Sequence, residues 1–282
     1  MQFVRYATDG VPGWGVHRDG EIVPLNGLRE DVSYQQLTDT GFLRVVEDAV
    51  EAAADRAISA ADARLLAPVP RPGKIVCVGL NYHDHAEEQD EEVPERPLLF
   101  GKADTAVTNP GDPIVHPAEL DEVDYEVELG VVIGRTAKDV SAADARDYVA
   151  GYTAVNDVSG RDAQFADEQF FRGKSYDTFA PMGPTLVPDD RLDPSSLDVA
   201  CRVNGDTKQS SNTEEFIFGV EELVEYISGV TTLRPGDVIS TGTPGGVGIF
   251  RDPPELLEPG DTVEIEIEGI GTLSNPVVAE RP

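Results

Sequence analysis

Residues 124–134 have the sequence Asp-Tyr-Glu-Val-Glu-Leu-Gly-Val-Val-Ile-Gly, in which apolar residues alternate with two glutamates and β-branched valines dominate. This pattern predicts a strand, in which successive side chains point to opposite faces. Glu126 and Glu128 therefore share one face, roughly 6 to 7 Å apart along the strand. Two carboxylates that close repel each other unless a cation lies between them. We therefore expect a hard divalent ion that prefers oxygen ligands, namely Mg²⁺, Mn²⁺ or Ca²⁺.

The alternative interpretation is a solvated acidic face. Residues 262–268, Thr-Val-Glu-Ile-Glu-Ile-Glu, have the same spacing at Glu264 and Glu266. In a chain with 53 acidic and 22 basic residues, such pairs are common on exposed strands. Spacing alone does not decide between the two interpretations.

Strand-like segments dominate the chain from residue 75 onward. They are residues 75–79, 125–133, 151–158, 197–203, 237–241, 262–267 and 272–278. Helical patterns are few: residues 142–150, the segment after Arg161, and residues 220–228. Because strands do not alternate regularly with helices, we expect a mainly β architecture with some α (α+β), a sandwich or roll rather than a Rossmann fold or TIM barrel.

The first part of the chain predicts a small N-terminal α+β domain over residues 1–66. Short strands are expected at 2–7, 13–17 and 21–25, and a helix over 43–66. Residues 67–74, Ala-Pro-Val-Pro-Arg-Pro-Gly-Lys, form a proline-rich linker, and residues 75–282 form the larger domain.

The net charge of −31 is extreme, and the acidic residues are spread over the whole chain. A folded protein adapted to high salt fits this best, so we expect a halophilic source. The charge argues against nucleic acid or an anionic membrane as a partner. The N-terminus has no apolar leader and no run is long enough to span a bilayer, so we expect a cytoplasmic protein. Cys77 and Cys201 predict buried free thiols.

A histidine-rich turn follows the first strand of the larger domain, in the sequence Gly-Leu-Asn-Tyr-His-Asp-His-Ala-Glu-Glu at residues 79–88. His85 and Glu88 are three residues apart, so one helical turn places them on one face. A carboxylate bonded to one imidazole nitrogen makes the other nitrogen a better base. Two alternatives stay open: a chance pair on a solvated turn, and a metal half-site formed by His83 and His85.

Three further segments contain residue types suited to catalysis. Asp157 ends an apolar strand and offers a third oxygen ligand; the alternative is an N-cap or turn role, which is common for aspartate. Lys174 is one of five lysines and lies in a loop of small residues, where its charge suits an oxyanion. Residues 240–248, Ser-Thr-Gly-Thr-Pro-Gly-Gly-Val-Gly, form a glycine-rich loop whose N–H groups and hydroxyls suit a carboxylate or phosphate.

Together these segments resemble the fumarylacetoacetate hydrolase family, in its branch of fumarylpyruvate or acylpyruvate hydrolases and 2-oxo-dioate isomerases or hydratases. The resemblance runs from about residue 74 to residue 276. It rests on the ordered motifs GLNYxDHxxE, YEVELGVVIG, NDxSGRDxQ, GKSYDTFxPMGP, RPGDVISTGTPGGVG and GDTVEIEIEGIGTLSNPV.

The resemblance implies a site and a fold. The implied metal ligands for Mg²⁺ or Mn²⁺ are Glu126, Glu128 and Asp157. The implied catalytic residues are His85, Glu88 and Lys174, with the first two on a mobile lid. The implied substrate-binding residues are Arg161, Gln164, Thr243 and Gly242. The implied fold is a mixed β-sandwich roll of the fumarylacetoacetase C-terminal type, usually a homodimer, and Glu264 and Glu266 remain a solvated face.

The resemblance also implies a metal-dependent reaction of a 2-oxo or 2,4-dioxo carboxylate through an enolate. We expect hydrolysis of a C–C bond in an acylpyruvate- or fumarylpyruvate-type substrate, because the lid dyad is present. The first alternative is a 2-oxo acid lyase or isomerase, such as a 2-keto-3-deoxy sugar acid dehydratase, oxaloacetate decarboxylase or 2-hydroxyhepta-2,4-diene-1,7-dioate isomerase. The second alternative is a non-catalytic acidic metal-binding protein. Some acylpyruvate-cleaving relatives carry arginine in place of Leu80, which leaves the exact activity open.

Overall fold

A computed structural model describes residues 1–25 and 32–281. The strands are β1 (Gln2–Thr8), β2 (Val11–Arg18), β3 (Glu21–Pro24), β4 (Ile58–Ser59), β5 (Arg64–Leu66), β6 (Ile75–Gly79), β7 (Leu98–Lys102), β8 (Val107–Thr108), β9 (Ile114–His116), β10 (Val123–Asp124), β11 (Val127–Ile133), β12 (Val149–Asn156), β13 (Ser159–Gly160), β14 (Ala180–Pro188), β15 (Asp198–Val203), β16 (Asp206–Asn212), β17 (Val238–Ser240), β18 (Thr262–Ile267) and β19 (Gly271–Ala279). The α-helices are α1 (Tyr34–Leu37), α2 (Thr40–Ala52), α3 (His83–Glu88), α4 (Arg161–Asp167), α5 (Phe171–Lys174) and α6 (Val220–Val230).

Two sheets enclose the main core. The larger sheet has the order β4-β3-β2-β1-β14-β12-β11-β17-β6-β7, with β5 beside β1 and β8 beside β14; the smaller has the order β16-β15-β18-β19-β9. Alternate residues of β11, Val127, Leu129 and Val131, pack in one buried cluster with Ile265 of the smaller sheet and with α6. The predicted α+β architecture with a mixed β-sandwich is confirmed, and apolar burial of this kind supplies most of its stability.

The N-terminal strands continue the larger sheet. Strand β1 pairs with β2 along its length and meets β14 at Phe3 and Leu186. Phe3 also lies in a second buried cluster with Val132 of β11 and Leu43 of α2. The predicted division at residues 67–74 stays a prediction.

The helix predicted over residues 43–66 is too long. Helix α2 ends at Ala52, and the chain then forms β4 and β5, which pair with β3 and β1. The alanine-rich sequence favours a helix locally. Pairing at the sheet edge overrides that preference, because propensity is a weak influence beside tertiary contacts.

Strand β14 was not predicted, although every one of its residues is buried. Its three prolines, Pro181, Pro184 and Pro188, argue against a central strand because proline cannot donate a ladder hydrogen bond. The pairing with β12 shifts register between Tyr152 and Ala154, opposite Val187 and Gly183, so the ladder is irregular around Pro184. The segment after Lys174 is therefore an interior strand rather than an extended loop.

Candidate active site

Three carboxylates meet at the ends of β11 and β12. Glu126 and Glu128 are buried at the start of β11, and Asp157 directly follows β12. The register pairs Val127 with Asn156, so Glu126 lies opposite Asp157, whose N–H donates to the Glu126 carbonyl over 3.0 Å. One ligand oxygen from each of the three side chains lies within 4.8 Å of the others. The structure thus brings together the three predicted metal ligands.

Two buried lysines contact this cluster. The Lys174 ammonium donates to Glu126 Oε2 over 2.7 Å and to Asp157 Oδ2 over 2.9 Å. Lys102, at the end of β7, donates to Asp157 Oδ1 and to the Val158 carbonyl. Lys102 was not predicted as a site residue. The one signal in the sequence was that lysine is rare in this chain, which has five. Together Asp157 and Glu126 raise the Lys174 pKa to about 12, although burial opposes this shift.

Gly173 explains how Lys174 reaches the cluster. A Cβ at Gly173 would lie 2.7 Å from the Gly160 carbonyl oxygen and 2.8 Å from the Gln164 nitrogen. Contacts that short are not tolerated, so a side chain at this position would push α5 away from β13 and α4. The glycine before Lys174 is therefore part of what positions the lysine.

Arg161 is fixed by two carboxylates. Its guanidinium donates to Asp124 Oδ2 over 2.9 and 2.8 Å and to Glu126 Oε1 over 2.7 Å. It also donates over 3.0 Å to the side-chain oxygen of Gln164, which orients that amide. Asp124, another residue that the sequence did not single out, is fully buried and also accepts N–H groups from residues 248 and 249.

Glu128 differs from its two neighbours because it forms no ion pair within residues 1–25 and 32–281. It accepts hydrogen bonds from the Ser240 hydroxyl and, over 3.1 Å, from the Gly242 N–H. Burial and the charges of Asp157 and Glu126 hold its pKa well above the usual value. For Glu126, by contrast, Lys174 and Arg161 outweigh the effect of burial and lower the pKa to about 2.

The donor set fits a divalent cation. Four buried carboxylates, Asp124, Glu126, Glu128 and Asp157, face three cations, Lys102, Arg161 and Lys174. An uncompensated buried carboxylate is costly. Hard oxygen ligands converging on one point are the coordination that Mg²⁺ and Mn²⁺ prefer. Which ion binds stays a prediction.

His85 and Glu88 form the predicted pair on α3. His85 Nδ1 lies 3.0 Å from Glu88 Oε2, and the Gln89 amide nitrogen lies 2.7 Å from His85 Nε2. A carboxylate can only accept, so Nδ1 carries the proton, and the Gln89 amide can only donate through its nitrogen, so Nε2 carries the lone pair. His85 Nε2 is therefore in the form required of a general base, with Gln89 as its present donor. His83 is exposed, and the structure does not bring it to the carboxylates.

The glycine-rich loop at residues 240–248 is held by the protein's own carboxylates. Besides the Gly242 contact with Glu128, Gly245 N–H donates to Asp84 over 3.2 Å and Gly246 N–H donates to Glu88 over 2.8 Å. A Cβ at Gly246, whose φ is +99°, would meet the Lys208 carbonyl oxygen at 2.4 Å. These N–H groups were expected to bind a ligand anion; here they orient the site carboxylates.

Thr243 is oriented by Gln209, which the sequence did not single out. The Gln209 amide donates to Thr243 Oγ1 over 2.8 Å and to the Pro244 carbonyl over 2.8 Å, and its oxygen accepts the Val127 N–H over 3.0 Å. Because Thr243 Oγ1 already accepts a hydrogen bond, its own hydrogen is free to donate. Thr243 thus presents a donor to the cavity, as binding a carboxylate requires.

These groups line one cavity of about 320 Å³. Its wall includes Glu126, Glu128, His85, Arg161, Gln164, Lys174 and Thr243. Cavities of this size accommodate small molecules. All ten predicted site residues are thus in or directly beside one cavity, Glu88, Asp157 and Gly242 through their contacts with the lining residues. Their roles stay predictions.

Helix α3 is held on the loop by Asp84. Asp84 accepts the Gly245 N–H and, over 2.6 Å, the Ser211 hydroxyl. We expect Asp84→Ala to lower kcat about tenfold, the effect of losing one or two hydrogen bonds that align the His85–Glu88 pair. Mn²⁺ affinity should not change, because Asp84 is not among the clustered carboxylates.

Hydrogen exchange of residues 83–89 measures the loosening of α3 directly. Glu87→Ala is the matched control, because Glu87 is exposed on the same helix and should leave exchange and kcat unaltered. If Asp84→Ala speeds exchange but kcat stays at the wild-type value, the docked position of α3 is not required for turnover.

Comparison with known proteins identifies two family models and several similar proteins. The family model described as fumarylacetoacetate (FAA) hydrolase C-terminal matches residues 74–278, and one described as Rv2993c-like, N-terminal, matches residues 1–68. The chain is 51% identical over 216 residues to the mitochondrial oxaloacetate tautomerase FAHD2A of Bos taurus, covering 76% of this chain and 69% of that protein.

Two solved structures extend over the whole chain. The 2-hydroxyhepta-2,4-diene-1,7-dioate isomerase from Mycobacterium marinum is 41% identical with a TM-score of 0.81, covering 100% of both chains. A fumarylacetoacetate hydrolase from psychrophilic Exiguobacterium antarcticum is 38% identical with a TM-score of 0.87, covering 99% of this chain and 100% of that one.

Two observations bear on the subcellular location of the protein. In the part of the chain that the structure describes, no helix is long and apolar enough to cross a bilayer. The name of the bovine relative places that protein in mitochondria. The cytoplasmic location, the halophilic source and the homodimer stay predictions.

Proposed function

Because the chain belongs to the fumarylacetoacetate hydrolase family of enzymes, we propose that it is a divalent-metal-dependent enzyme that moves a proton at carbon 3 of a 2-oxo acid. The reaction is a keto–enol tautomerisation or the related shift of a double bond. We place it before the C–C hydrolysis expected from the sequence, because the relatives named above include an oxaloacetate tautomerase and an isomerase. Hydrolysis stays a prediction.

The observation that carries this proposal is the placement of base and carboxylate cluster in one cavity. His85 and the pair Glu126 and Glu128 line the same space. His85 has its proton on Nδ1, facing Glu88, and a lone pair on Nε2. A 2-oxo acid bound in this cavity with its carboxylate at Thr243 would have carbon 3 between the cluster and His85.

Glu126, Glu128 and Asp157 would hold a divalent ion, which would supply positive charge to stabilise an enolate. The chain's residues do the rest. Thr243 donates its hydroxyl hydrogen to the substrate carboxylate, and Gln209 keeps that hydroxyl in the donating orientation. Lys174 adds a buried positive charge beside the enolate. Arg161 holds Glu126 and the Gln164 amide in place.

The proton transfer balances without a co-reactant. His85 Nε2 takes a proton from carbon 3, the C–H electrons form the carbon 2–carbon 3 double bond, and the carbonyl π electrons move to the keto oxygen. Glu88 stabilises the imidazolium, and Gln89 must leave Nε2 for the proton to arrive. Return of the proton to oxygen gives the enol; return to a more distant carbon of a conjugated substrate gives the isomer.

C–C hydrolysis is the second candidate. The same His85 Nε2 is able to take a proton from water, so that hydroxide adds to a carbonyl at carbon 4. The carbon 3–carbon 4 bond then breaks, its electrons form the enolate of pyruvate, and the proton returns from His85 to carbon 3. The similarity to a protein named as a fumarylacetoacetate hydrolase favours keeping it.

The test is incubation with Mn²⁺ or Mg²⁺ in D₂O at molar KCl, with products analysed by mass and NMR. The substrates are oxaloacetate, a 2-hydroxy-2,4-dienedioate and acetylpyruvate. We expect deuterium at carbon 3 or a moved double bond with the carbon skeleton intact. Release of pyruvate and acetate from acetylpyruvate, without exchange of oxaloacetate beyond the EDTA-treated blank, would replace this proposal by hydrolysis.

A further inference from the structure

The lining of the cavity is charged and polar at one end, called the inner end, and apolar at the other. The inner end contains the carboxylate cluster, Lys174 and Thr243. Six apolar side chains line the rest of the cavity and are called the outer wall here: Leu80, Leu98, Phe100, Phe165, Phe170 and Phe250. Phe100 adjoins the inner end, with its ring centroid 5.3 Å from Lys174 Nζ. Phe100 and Phe170 pack edge to face with ring centroids 5.2 Å apart, so this wall is in part a fixed aromatic surface.

Among residues 1–25 and 32–281, the outer wall contributes no cationic side chain to a ligand. The cationic side chains that line the cavity are Arg161 and Lys174, and both are engaged by Asp124, Glu126 and Asp157 over distances of 2.7 to 2.9 Å. Glu91 lies at the outer end and is exposed. A negative group on the distal part of a substrate would therefore meet apolar carbon and a like charge, which costs free energy.

The same wall leaves large apolar surface bare. Leu98 is 50% exposed, Phe165 54% and Phe250 42%. Exposed apolar residues that adjoin each other around a cavity mark a binding surface more often than scattered ones do. This surface is continuous with the carboxylate cluster through Leu80, Phe100 and His85, so a ligand anchored at the cluster extends onto it.

We propose that the substrate carries an uncharged, apolar group from carbon 5 outward, so that the preferred class is a 2-oxo monocarboxylic acid with an alkyl or aryl tail rather than a long-chain 2-oxo dicarboxylic acid. This rests on the proposed function. A carboxylate at carbon 4, as in oxaloacetate, lies beside the inner end and is not excluded. Leu98, Phe165 and Phe250 are then the residues that set specificity.

The experiment compares two six-carbon acids, one with an apolar end and one with a charged end, and a four-carbon acid as the short reference. Exchange of the carbon 3 hydrogens for deuterium is followed by NMR for 2-oxobutanoate, 2-oxohexanoate and 2-oxoadipate with the Mn²⁺-loaded protein. We expect kcat/KM to rise about fourfold for each methylene placed on the apolar wall. 2-oxohexanoate should then exceed 2-oxoadipate, which ends in a carboxylate, by at least about tenfold. Equal values for the two six-carbon acids, or a preference for 2-oxoadipate, overturn the proposal.

A variant places a cation on the wall. Leu98 is half exposed, so the Leu98→Lys protein should fold. It should have a lower kcat/KM for 2-oxohexanoate and a higher kcat/KM for 2-oxoadipate. The kcat/KM for 2-oxobutanoate, which does not reach the outer wall, should stay within twofold. Val230→Lys is the matched control, because Val230 is 67% exposed at the end of α6 and is not among the cavity residues. An identical response of both variants contradicts a role for Leu98 in specificity.

The two proposals fail in different ways. If every 2-oxo acid exchanges without a preference for an apolar tail, the inference about the tail is wrong and the proposed function stands. If none exchanges beyond the blank, oxaloacetate included, the proposed function is wrong and the inference falls with it.

Discussion

Glu128→Gln is expected to abolish turnover and to weaken Mn²⁺ binding by at least about 100-fold. The amide keeps the shape of the side chain and can still accept from Ser240 and Gly242, so the loss isolates the charge. Even changes to residues that merely orient metal ligands cost 10- to 100-fold in affinity, so loss of a ligand charge should cost more. Titration calorimetry with Mn²⁺ measures the affinity, and deuterium exchange at carbon 3 measures the turnover.

The metal-free Glu128→Gln protein gives a second test, in which the substitution is expected to raise thermal stability although it abolishes turnover. Glu128 is a buried carboxylate without an ion-pair partner in the part of the chain that the structure describes, so neutralising it removes a desolvation cost. We therefore expect the metal-free Glu128→Gln protein to melt at a higher temperature than the metal-free wild type. Adding Mn²⁺ should then raise the melting temperature of the wild type but not of the variant.

Glu264→Gln is the matched control, since Glu264 belongs to the second glutamate pair with the same sequence spacing. It lies half-buried on β18, outside the carboxylate cluster. It should leave Mn²⁺ affinity, turnover and the Mn²⁺-induced rise in melting temperature unaltered. If Glu128→Gln behaves like this control, the carboxylate cluster is a structural feature and not a metal site.

The contrast between these two pairs shows what sequence pattern can and cannot decide. Alternation predicted strands β11 and β18 equally well, because the period of two is a local property. What separates Glu128 from Glu264 is what covers each strand. Both strands are interior, β11 between β12 and β17 and β18 between β15 and β19. Glu128, however, is buried against Ser240 and Gly242, whereas Glu264 is half-buried. That difference depends on which distant segments pack over each strand face, which the local pattern does not specify.

Lys102, Asp124 and Gln209 were missed for the same reason. Lys102 is 55 residues from Asp157, and Gln209 is 34 residues from Thr243. No spacing rule connects partners so far apart, and each of these residues ends or lies within an ordinary-looking strand. Short-range pairs behave differently: His85 and Glu88, three residues apart, were predicted to meet and do so in the structure.

The glycine-rich loop gives a more specific lesson. Its composition correctly indicated N–H groups that bind carboxylates, but the carboxylates are those of the protein itself, on Asp84, Glu88, Asp124 and Glu128. Two segments that are far apart in sequence, residues 84–88 and 124–128, are thereby attached to one loop. Helix α3, which carries His85, and strand β11, which carries Glu128, are consequently fixed relative to each other. Precise placement of a base against a binding site requires this.

His85→Ala is expected to lower the rate of carbon 3 exchange by a factor of 10² to 10⁴, the usual contribution of a general base. Mn²⁺ affinity should stay within twofold of the wild type, because His85 is not among the clustered carboxylates. Glu88→Gln should give a smaller loss, since the amide holds Nδ1 less strongly and does not stabilise the imidazolium. Single-turnover exchange at saturating substrate measures both variants.

His83→Ala provides the control on the same helix, because His83 is exposed and should leave the exchange rate unaltered. The informative failure is a His85→Ala protein that still exchanges carbon 3 at the wild-type rate. The base would then have to come from the other end of the cavity. Lys174 is poorly suited to that role, since its ammonium is bound by Glu126 and Asp157 and its pKa is raised to about 12. Full activity without His85 would therefore contradict the proton-transfer mechanism itself, and not merely the identity of one residue.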